Sequence, residues 1–223
     1  MAPSIAKALT GLLISYLLGS IPVAYCLGKF SKGIDLRKHG SGNLGATNAF
    51  RVLGKKIGAA VLLLDISKGL IAVLLADYYF YPEGLGIDKN VFACLASIAV
   101  VSGHNWTIFL GFKGGKGIAT SLGVLIAFSI LVEGFFWLLI VGVFLWLVTF
   151  LMSGFVSLAS VICSIILPFL AIFFSLPKEI VVFLLILSVL SIIRHKPNII
   201  RLLQKKESRF DTRSLLKKIS FFR

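Results

Sequence analysis

Four short polar segments interrupt an otherwise apolar chain, and their residue types suit the binding of phosphate. The first, residues 39–51, carries glycines spaced G-x-G-x-x-G among hydroxyl, amide and guanidinium side chains. Glycine lets backbone N–H groups approach an anion closely, and an arginine fork matches phosphate oxygens. A flexible interhelical loop with a capped helix start would also hold glycines, but the concentration of polar donors favours an anion site. The candidate ligands are Ser41, Gly42, Asn43, Gly45, Thr47, Asn48 and Arg51.

A second glycine-rich segment, residues 103–120, resembles a P-loop but departs from its pattern. Gly117 follows Lys116 at the position where the P-loop carries a hydroxyl. Backbone amides, a lysine and a helix start at residue 118 could still face an anion. The alternative is a tight cytosolic turn with two lysines. The candidate ligands are His104, Asn105, Gly114, Gly115, Lys116, Gly117 and Thr120.

Two further segments hold ionisable residues at helical spacing. Asp65 and Lys68 are three residues apart and can pair on one helix, either as a structural brace or as part of a site facing a watery cavity. His195 and Asn198 are also three apart, so both could reach one cavity. An ordinary basic flank after a last membrane helix is the alternative for this segment.

The elements that carry these segments are predicted to be membrane helices. Of the 223 residues, 58% are hydrophobic and only 14% charged, which leaves too little polar surface to cover a water-soluble domain. The apolar runs cover residues 5–30, 57–80, 91–112, 118–132, 135–152, 154–175 and 178–193. We therefore predict an all-α integral membrane protein with seven transmembrane helices.

Charge placement predicts the orientation of these helices. Basic residues concentrate in segments 29–56 and 113–117 and from residue 194 onward, whereas acidic residues collect in the other connections. By the positive-inside rule the basic segments are cytosolic, which puts the N-terminus outside and the C-terminus in the cytosol. All four polar segments then meet the cytosol. The formal net charge of +14 is thus assigned to orientation and to attraction of anionic lipid or substrate, and no nucleic-acid partner is predicted.

No metal or cofactor is predicted from the sequence. Cys26, Cys94 and Cys163 lie far apart inside apolar runs and have no ligand spacing, so they are interpreted as small buried residues.

The polar segments resemble one family, the bacterial acyl-phosphate-dependent glycerol-3-phosphate acyltransferases (PlsY). The similarity extends over residues 11–210, and two of its runs, SGNLGATN and GFKGGKGIAT, are highly specific. The segments that carry it are GSIPVAY (19–25), DLRKHGSGNLGATNAFRVLGKK (35–56), DISKG (65–69), SGHNW (102–106), GFKGGKGIAT (111–120) and RHKPNIIRLL (194–203). We expect a membrane acyltransferase domain over residues 1–210 and a basic C-terminal extension over 211–223.

The resemblance implies transfer of a fatty acyl group from acyl phosphate to glycerol 3-phosphate, giving lysophosphatidic acid, at the cytosolic face of the bacterial inner membrane. It implies that Ser41, Arg51 and Lys116 hold phosphate. It also implies that His195 and Asn198 hold the glycerol end. Glu207 is expected to be structural. Expected partners are the two substrates, membrane lipid and an acyl-phosphate-forming enzyme that hands over its product.

Two questions stay open at the level of sequence. A transporter of a small phosphorylated solute or lipid is the alternative function, although the polar residues gather at one end of the helices and not at the midplane. The mechanism is the other question. Acyl phosphate is already activated and its phosphate is basic, so we expect no obligatory general base on the protein, with His195 as the strongest exception.

Overall fold

The computed structural model describes residues 2–211, which form nine α-helices; eight come from the apolar runs, and the short α3 comes from the first polar segment. Glycine and proline mark many of their ends: Gly33 and Gly154 adopt left-handed backbone angles after α2 and α7, with φ of 67° and 76°. The helices are α1 (Ala2–Ser20), α2 (Val23–Lys32), α3 (Ala46–Val52), α4 (Lys55–Leu75), α5 (Lys89–Asn105), α6 (Ile118–Leu131), α7 (Phe135–Ser153), α8 (Val156–Phe173) and α9 (Lys178–Leu203).

Six helical stretches of the described residues are long and apolar enough to cross a membrane. They are residues 2–32, 55–80, 89–110, 135–153, 156–173 and 178–203. The predicted run at 178–193 is longer than its apolar part indicated, because the helix continues through the polar segment to Leu203. The run at 118–132 forms α6, which has only 14 residues. At 1.5 Å per residue α6 is about 21 Å long, less than the roughly 30 Å of a bilayer core.

The first span consists of two helices joined at Ile21 and Pro22. Proline has no N–H group and ends α1, and one side chain of α4 and one of the segment after α5 bind the carbonyls exposed at the break. The Lys68 ammonium donates to the Ile21 carbonyl at 3.0 Å, and the Thr107 hydroxyl donates to the Ser20 carbonyl. The break is thus fixed in place from α4 and from the segment after α5.

Glycines allow two helix pairs to approach closely. A Cβ on Gly103 would collide with the Tyr16 carbonyl of α1, and a Cβ on Gly19 with the Val100 carbonyl of α5. Gly69 of α4 and Gly123 of α6 make the corresponding approach between those two helices. Close approach at small residues is a common way for helices to associate in lipid. One contact joins α1 to α5, which precedes the glycine-rich loop, and the other joins α4 to α6, which follows it.

Aromatic stacking connects α6 to α7 and α9. Phe128 lies between Phe135 and Phe183, with ring centroids 5.4 and 5.1 Å apart, and all three side chains are buried. The short helix α6 is therefore packed inside the bundle.

The basic C-terminal extension predicted for residues 211–223 lies, apart from Asp211, outside the described residues.

Substitution of Gly123 tests the close contact between α4 and α6. In Gly123→Ala the added Cβ would meet the Ile66 backbone carbonyl, which cannot move aside as a side chain can. Overpacking of this kind costs about 1–3 kcal/mol, so the unfolding temperature in detergent should fall. Gly142→Ala is the matched control, because its Cβ would meet only the end of the Leu167 side chain, at 3.0 Å. Equal melting of the two variants would contradict the interpretation.

Candidate functional site

The buried amide of Asn48 holds the loop before α3 in shape. Its Nδ2 donates to the carbonyls of His39 and Asn43, both at 3.0 Å, and its Oδ1 accepts the Ser41 N–H at 2.9 Å. The side chain is thus fully engaged with the loop, and the structure gives Asn48 a supporting position behind the predicted anion ligands.

The same loop presents donors that the protein does not use. Gly40 and Gly42 have φ of 62° and 70°, angles that turn the chain sharply around Ser41. Within residues 2–211 the hydroxyls of Ser41 and Thr47 make no hydrogen bond. Asn43 does not contribute its side-chain oxygen, because that atom accepts the Gly45 N–H at 2.9 Å where α3 begins.

The glycine-rich loop after α5 rests on His104. The Gly115 N–H donates to the His104 carbonyl at 2.9 Å, and a Cβ on Gly115 would collide with the imidazole ring. A Cβ on Gly114 would collide with the same carbonyl. The amide of Gly115 is therefore directed into the protein, while the N–H groups of Lys116 and Gly117 make no hydrogen bond in the described part of the chain.

Arg194 of α9 grips the other side of this loop. Its Nε donates to the Gly115 carbonyl at 3.0 Å, and its Nη2 donates to the carbonyls of Gly115 and Gly114 at 2.6 and 3.1 Å. The guanidinium lies over the Trp106 ring, 5.4 Å from the centroid. The loop is thus fixed between α5 and α9.

Lys116 and Asn198, both predicted site residues, are in direct contact. The Lys116 ammonium donates to the Asn198 Oδ1 at 2.5 Å, and the Asn198 Nδ2 donates to the Glu207 Oε1 at 2.6 Å. Glu207 also pairs with Arg201 at 2.7 Å and accepts from the Ser157 hydroxyl at 2.9 Å. This chain of contacts connects the glycine-rich loop, α9 and the segment after it, which agrees with the structural role expected for Glu207.

The surroundings of Lys116 lower its pKa to about 8. Burial is the main cause, and the positive charges of Arg201, Arg51 and Arg194 act in the same direction, while Glu207 opposes them. The pKa of Glu207 is lowered although burial acts to raise it, because Asn198, Arg201 and Ser157 donate hydrogen bonds to the carboxylate. The carboxylate of Glu207 therefore lies in a cluster of positive side chains, formed by Lys116, Arg51, Arg194 and Arg201.

Arg51 joins this cluster from α3. It donates to the Ser208 carbonyl at 3.1 Å and lies over the Phe210 ring, 4.9 Å from the centroid. Its side chain is otherwise exposed. The segment after α9 thus fixes Arg51 in place.

A second polar group lies deeper, against the glycine-rich loop. Asp65 and Lys68 form an ion pair at 2.8 Å, and the His104 Nδ1 lies 3.5 Å from the same carboxylate oxygen. All three side chains are buried. They line a small cavity with Gly114, Gly115 and the break at Ile21 and Pro22. The pair predicted from the spacing of Asp65 and Lys68 is present, and its contacts brace both the helix break and the loop.

Three other predicted site residues are buried in the helices. His195 is 2% exposed, and its Nδ1 donates to the Ser191 carbonyl at 2.8 Å, which leaves Nε2 as an acceptor when the ring is neutral. The side-chain polar atoms of Asn105 and Thr120 are buried without a hydrogen-bond partner among residues 2–211. Both residues lie near Gly117, at the junction of the loop with α5 and α6.

A basic groove of about 360 Å³ opens between the two glycine-containing loops. Arg37 on its wall is paired with Asp35 at 2.7 Å, and hydrogen bonding from that guanidinium lowers the Asp35 pKa to about 2. The residues that line the groove are Asp35, Arg37, Lys38, Gly42, Leu44, Lys113 and Gly114. Among the described residues no group of three His, Cys, Asp or Glu side chains could hold a metal ion.

The structure therefore brings together the residues implied by the resemblance at the end of α9 and in the glycine-rich loop, with Arg51 beside them. Sequence reasoning overlooked Arg194. The only local signal was its place directly before His195. A basic residue after the last membrane helix is ordinarily interpreted as part of a basic flank, and Arg194 fitted that interpretation.

Comparison with known proteins covers nearly the whole chain. A family model described as glycerol-3-phosphate acyltransferase matches residues 9–205. Glycerol-3-phosphate acyltransferase 2 of Moorella thermoacetica is 41% identical over 206 residues, which are 92% of this chain and 99% of the relative. Glycerol-3-phosphate acyltransferase of Aquifex aeolicus is 44% identical over 205 residues, or 92% of this chain and all of the relative.

Two solved structures have the same architecture. Both are of PlsY (YgiH), described as an integral membrane glycerol 3-phosphate acyltransferase, in a glycerol 3-phosphate form and a lysophosphatidic acid form. They are 39% and 38% identical to this chain, with TM-scores of 0.81 and 0.80. Each comparison covers 94% of this chain and 98% of the other.

Proposed function

The chain belongs to the glycerol-3-phosphate acyltransferase family, and on that premise we propose that it transfers a fatty acyl group from acyl phosphate to glycerol 3-phosphate. The products are lysophosphatidic acid and inorganic phosphate, formed at the cytosolic membrane face. The observation that carries the proposal is the contact between Lys116 and Asn198, at 2.5 Å. It joins a segment suited to phosphate to a segment with groups suited to a glycerol hydroxyl.

In this proposal Ser41, Arg51 and Lys116 hold the phosphate of glycerol 3-phosphate. The ammonium of Lys116 and the guanidinium of Arg51 neutralise the anion, and the Lys116 and Gly117 N–H groups add donors. Charge-assisted hydrogen bonds are about twice as strong as neutral ones. The excess of cations around the carboxylate of Glu207 favours a ligand with two negative charges.

The chemical step replaces the acyl–phosphate bond by an ester. The glycerol hydroxyl oxygen attacks the acyl carbonyl carbon, the carbon–oxygen bond to phosphate breaks, and inorganic phosphate leaves with the bonding electrons. The departing phosphate takes the hydroxyl proton, because a phosphate monoester has a second pKa near 6. The protein then contributes the positioning of two anions and the neutralisation of their repulsion. His195 orients the hydroxyl through Nε2.

A donor comparison tests the proposed reaction. Purified protein in detergent receives acyl phosphate, acyl-CoA or acyl carrier protein as donor, with and without glycerol 3-phosphate. We expect equal amounts of lysophosphatidic acid and inorganic phosphate from acyl phosphate alone, and only when glycerol 3-phosphate is present. Product from acyl-CoA but not from acyl phosphate would refute acyl phosphate as the donor. No product from any donor would favour a transporter.

The lowered pKa of Lys116 predicts an alkaline limit to substrate capture. Above a pH of about 8 the free enzyme loses the Lys116 charge, so kcat/KM for glycerol 3-phosphate should fall as the pH rises through that value. Lys116→Arg keeps its charge to a much higher pH, since the arginine pKa exceeds 12. Its profile should lack this limb even if its rate is lower throughout. A wild-type profile that stays flat to pH 9.5 would contradict the assignment.

Single-turnover kinetics test the role of His195. If His195 only orients the hydroxyl, His195→Ala should raise KM and slow the chemical step without removing a titrating limb. A protein base usually contributes about 10²–10⁴-fold. Loss of that size together with the loss of an acid limb, in a variant that still binds glycerol 3-phosphate, would show that His195 is a base. Lys196→Ala, at the exposed next position, is the control.

The proposal places the protein in the bacterial inner membrane with seven crossings, α6 included, an external N-terminus and a cytosolic C-terminus. An acyl-phosphate-forming enzyme would supply the donor on the cytosolic side. Single cysteines at Lys38 and Lys116 in a cysteine-free background should react only with reagents that enter the cytosol, and a cysteine at Lys89 should react from outside. External labelling at Lys116 would overturn this topology.

A further inference from the structure

We propose that Arg194 is a positioning residue, which sets the orientation of the Lys116 backbone N–H by gripping the carbonyls of Gly114 and Gly115. The inference rests on the proposed function and adds a residue to it. Arg194 touches the loop that holds the phosphate, and in this proposal it does not touch the phosphate itself.

The peptide that joins Gly114 to Gly115 is fixed at both ends. Its carbonyl accepts from the Arg194 Nη2 at 3.1 Å, and its N–H donates to the His104 carbonyl at 2.9 Å. A planar trans peptide held at both ends cannot rotate about its neighbouring bonds without breaking one of these hydrogen bonds. The start of the loop therefore has a single orientation relative to α5 and α9.

The next peptide joins Gly115 to Lys116, and Arg194 holds it more strongly. Its carbonyl accepts from both Nε at 3.0 Å and Nη2 at 2.6 Å. In a trans peptide the N–H points opposite to the C=O. Because Arg194 draws the carbonyl toward α9, the Lys116 N–H must face away from Arg194, and it makes no hydrogen bond in the described part of the chain.

The two glycines leave room for the loop to pack in this way, and their flexibility makes the contacts from Arg194 necessary. The ring of His104 lies where a Cβ of Gly115 would be, so no larger residue fits there. Two adjacent glycines have wide conformational freedom, and fixing a residue's backbone costs about 1–2 kcal/mol. A loop of this kind keeps one shape only if contacts from outside the loop impose it, and Arg194 supplies three of them.

The guanidinium is itself held rigidly. It lies over the Trp106 ring at 5.4 Å, and the Trp106 carbonyl accepts the Tyr16 hydroxyl at 2.8 Å. A lysine at this position would retain the charge, but it could not donate to two successive carbonyls in the same fixed fork. Substitution by lysine therefore separates the effect of the guanidinium geometry from the effect of its charge.

The test compares Arg194→Lys and Arg194→Ala with wild type in the assay of phosphate release from acyl phosphate. Misplacement of a binding group by about 1 Å can cost up to roughly 10²-fold. We expect both variants to raise the KM for glycerol 3-phosphate by roughly tenfold or more. The KM of Arg194→Lys should be at most about threefold lower than that of Arg194→Ala. The KM for acyl phosphate should change by less than about twofold. Added guanidinium ion should restore part of the affinity in Arg194→Ala, whereas ammonium ion should not.

Controls separate this inference from the proposed function and from misfolding. Wild type must release phosphate in a glycerol 3-phosphate-dependent manner; failure there refutes the proposed function itself. Lys196→Ala removes an exposed charge from the neighbouring position of α9 and should behave as wild type. If Arg194→Ala does not fold, the KM of Arg194→Lys for glycerol 3-phosphate alone tests the inference.

Three results would overturn the inference. Near-wild-type KM in Arg194→Lys would mean that only charge matters, as for a direct phosphate ligand. A fall in kcat with no change in the KM for glycerol 3-phosphate would place Arg194 in the chemical step. Failure of Arg194→Lys to fold would make its role global stability.

Discussion

Hydrogen bonds from cations to backbone carbonyls hold together the end of the helical bundle that carries the candidate site. The chain has 23 lysines and arginines but only nine aspartates and glutamates, so most cations cannot have a carboxylate to themselves. Carbonyls left unpaired where helices end, or in loops, offer an alternative. Lys68 binds Ile21, Arg194 binds Gly114 and Gly115, and Arg51 binds Ser208. Positive charge thus becomes the means by which helix ends and loops are fixed to one another.

The same imbalance defines the electrostatics of the candidate site. Lys116 lies among Arg51, Arg194 and Arg201, with Glu207 as the nearby carboxylate that opposes them. A site built in this way favours anionic ligands through excess charge, and contacts with backbone carbonyls fix the side chains of Arg51 and Arg194. The glycine contacts and the aromatic stack hold the short helix α6 inside the bundle, directly after the loop that carries Lys116.

Much of the helical architecture could be predicted from the sequence, because the length of an apolar run is a local signal. The Asp65–Lys68 pair was predictable for the same reason, since i,i+3 spacing fixes the geometry. The roles of Asn48 and Arg194 were not. An amide in a polar loop looks the same in sequence whether it faces a ligand or supports the loop, and the carbonyls bound by Arg194 lie 79 and 80 positions away. The predicted run 118–132 matches α6 to within one residue, but a 14-residue apolar helix is ambiguous between a short span and a buried helix.

The break between α1 and α2 has a consequence for the order in which the chain can reach its final structure. Its two exposed carbonyls are bound by Thr107 and Lys68, which are synthesised 87 and 47 residues after their partners. During synthesis the first span is therefore made before either of the side chains that bind its break. Only after the end of α5 has emerged can both carbonyls be bound, so the N-terminal helix pair is made first and fixed late.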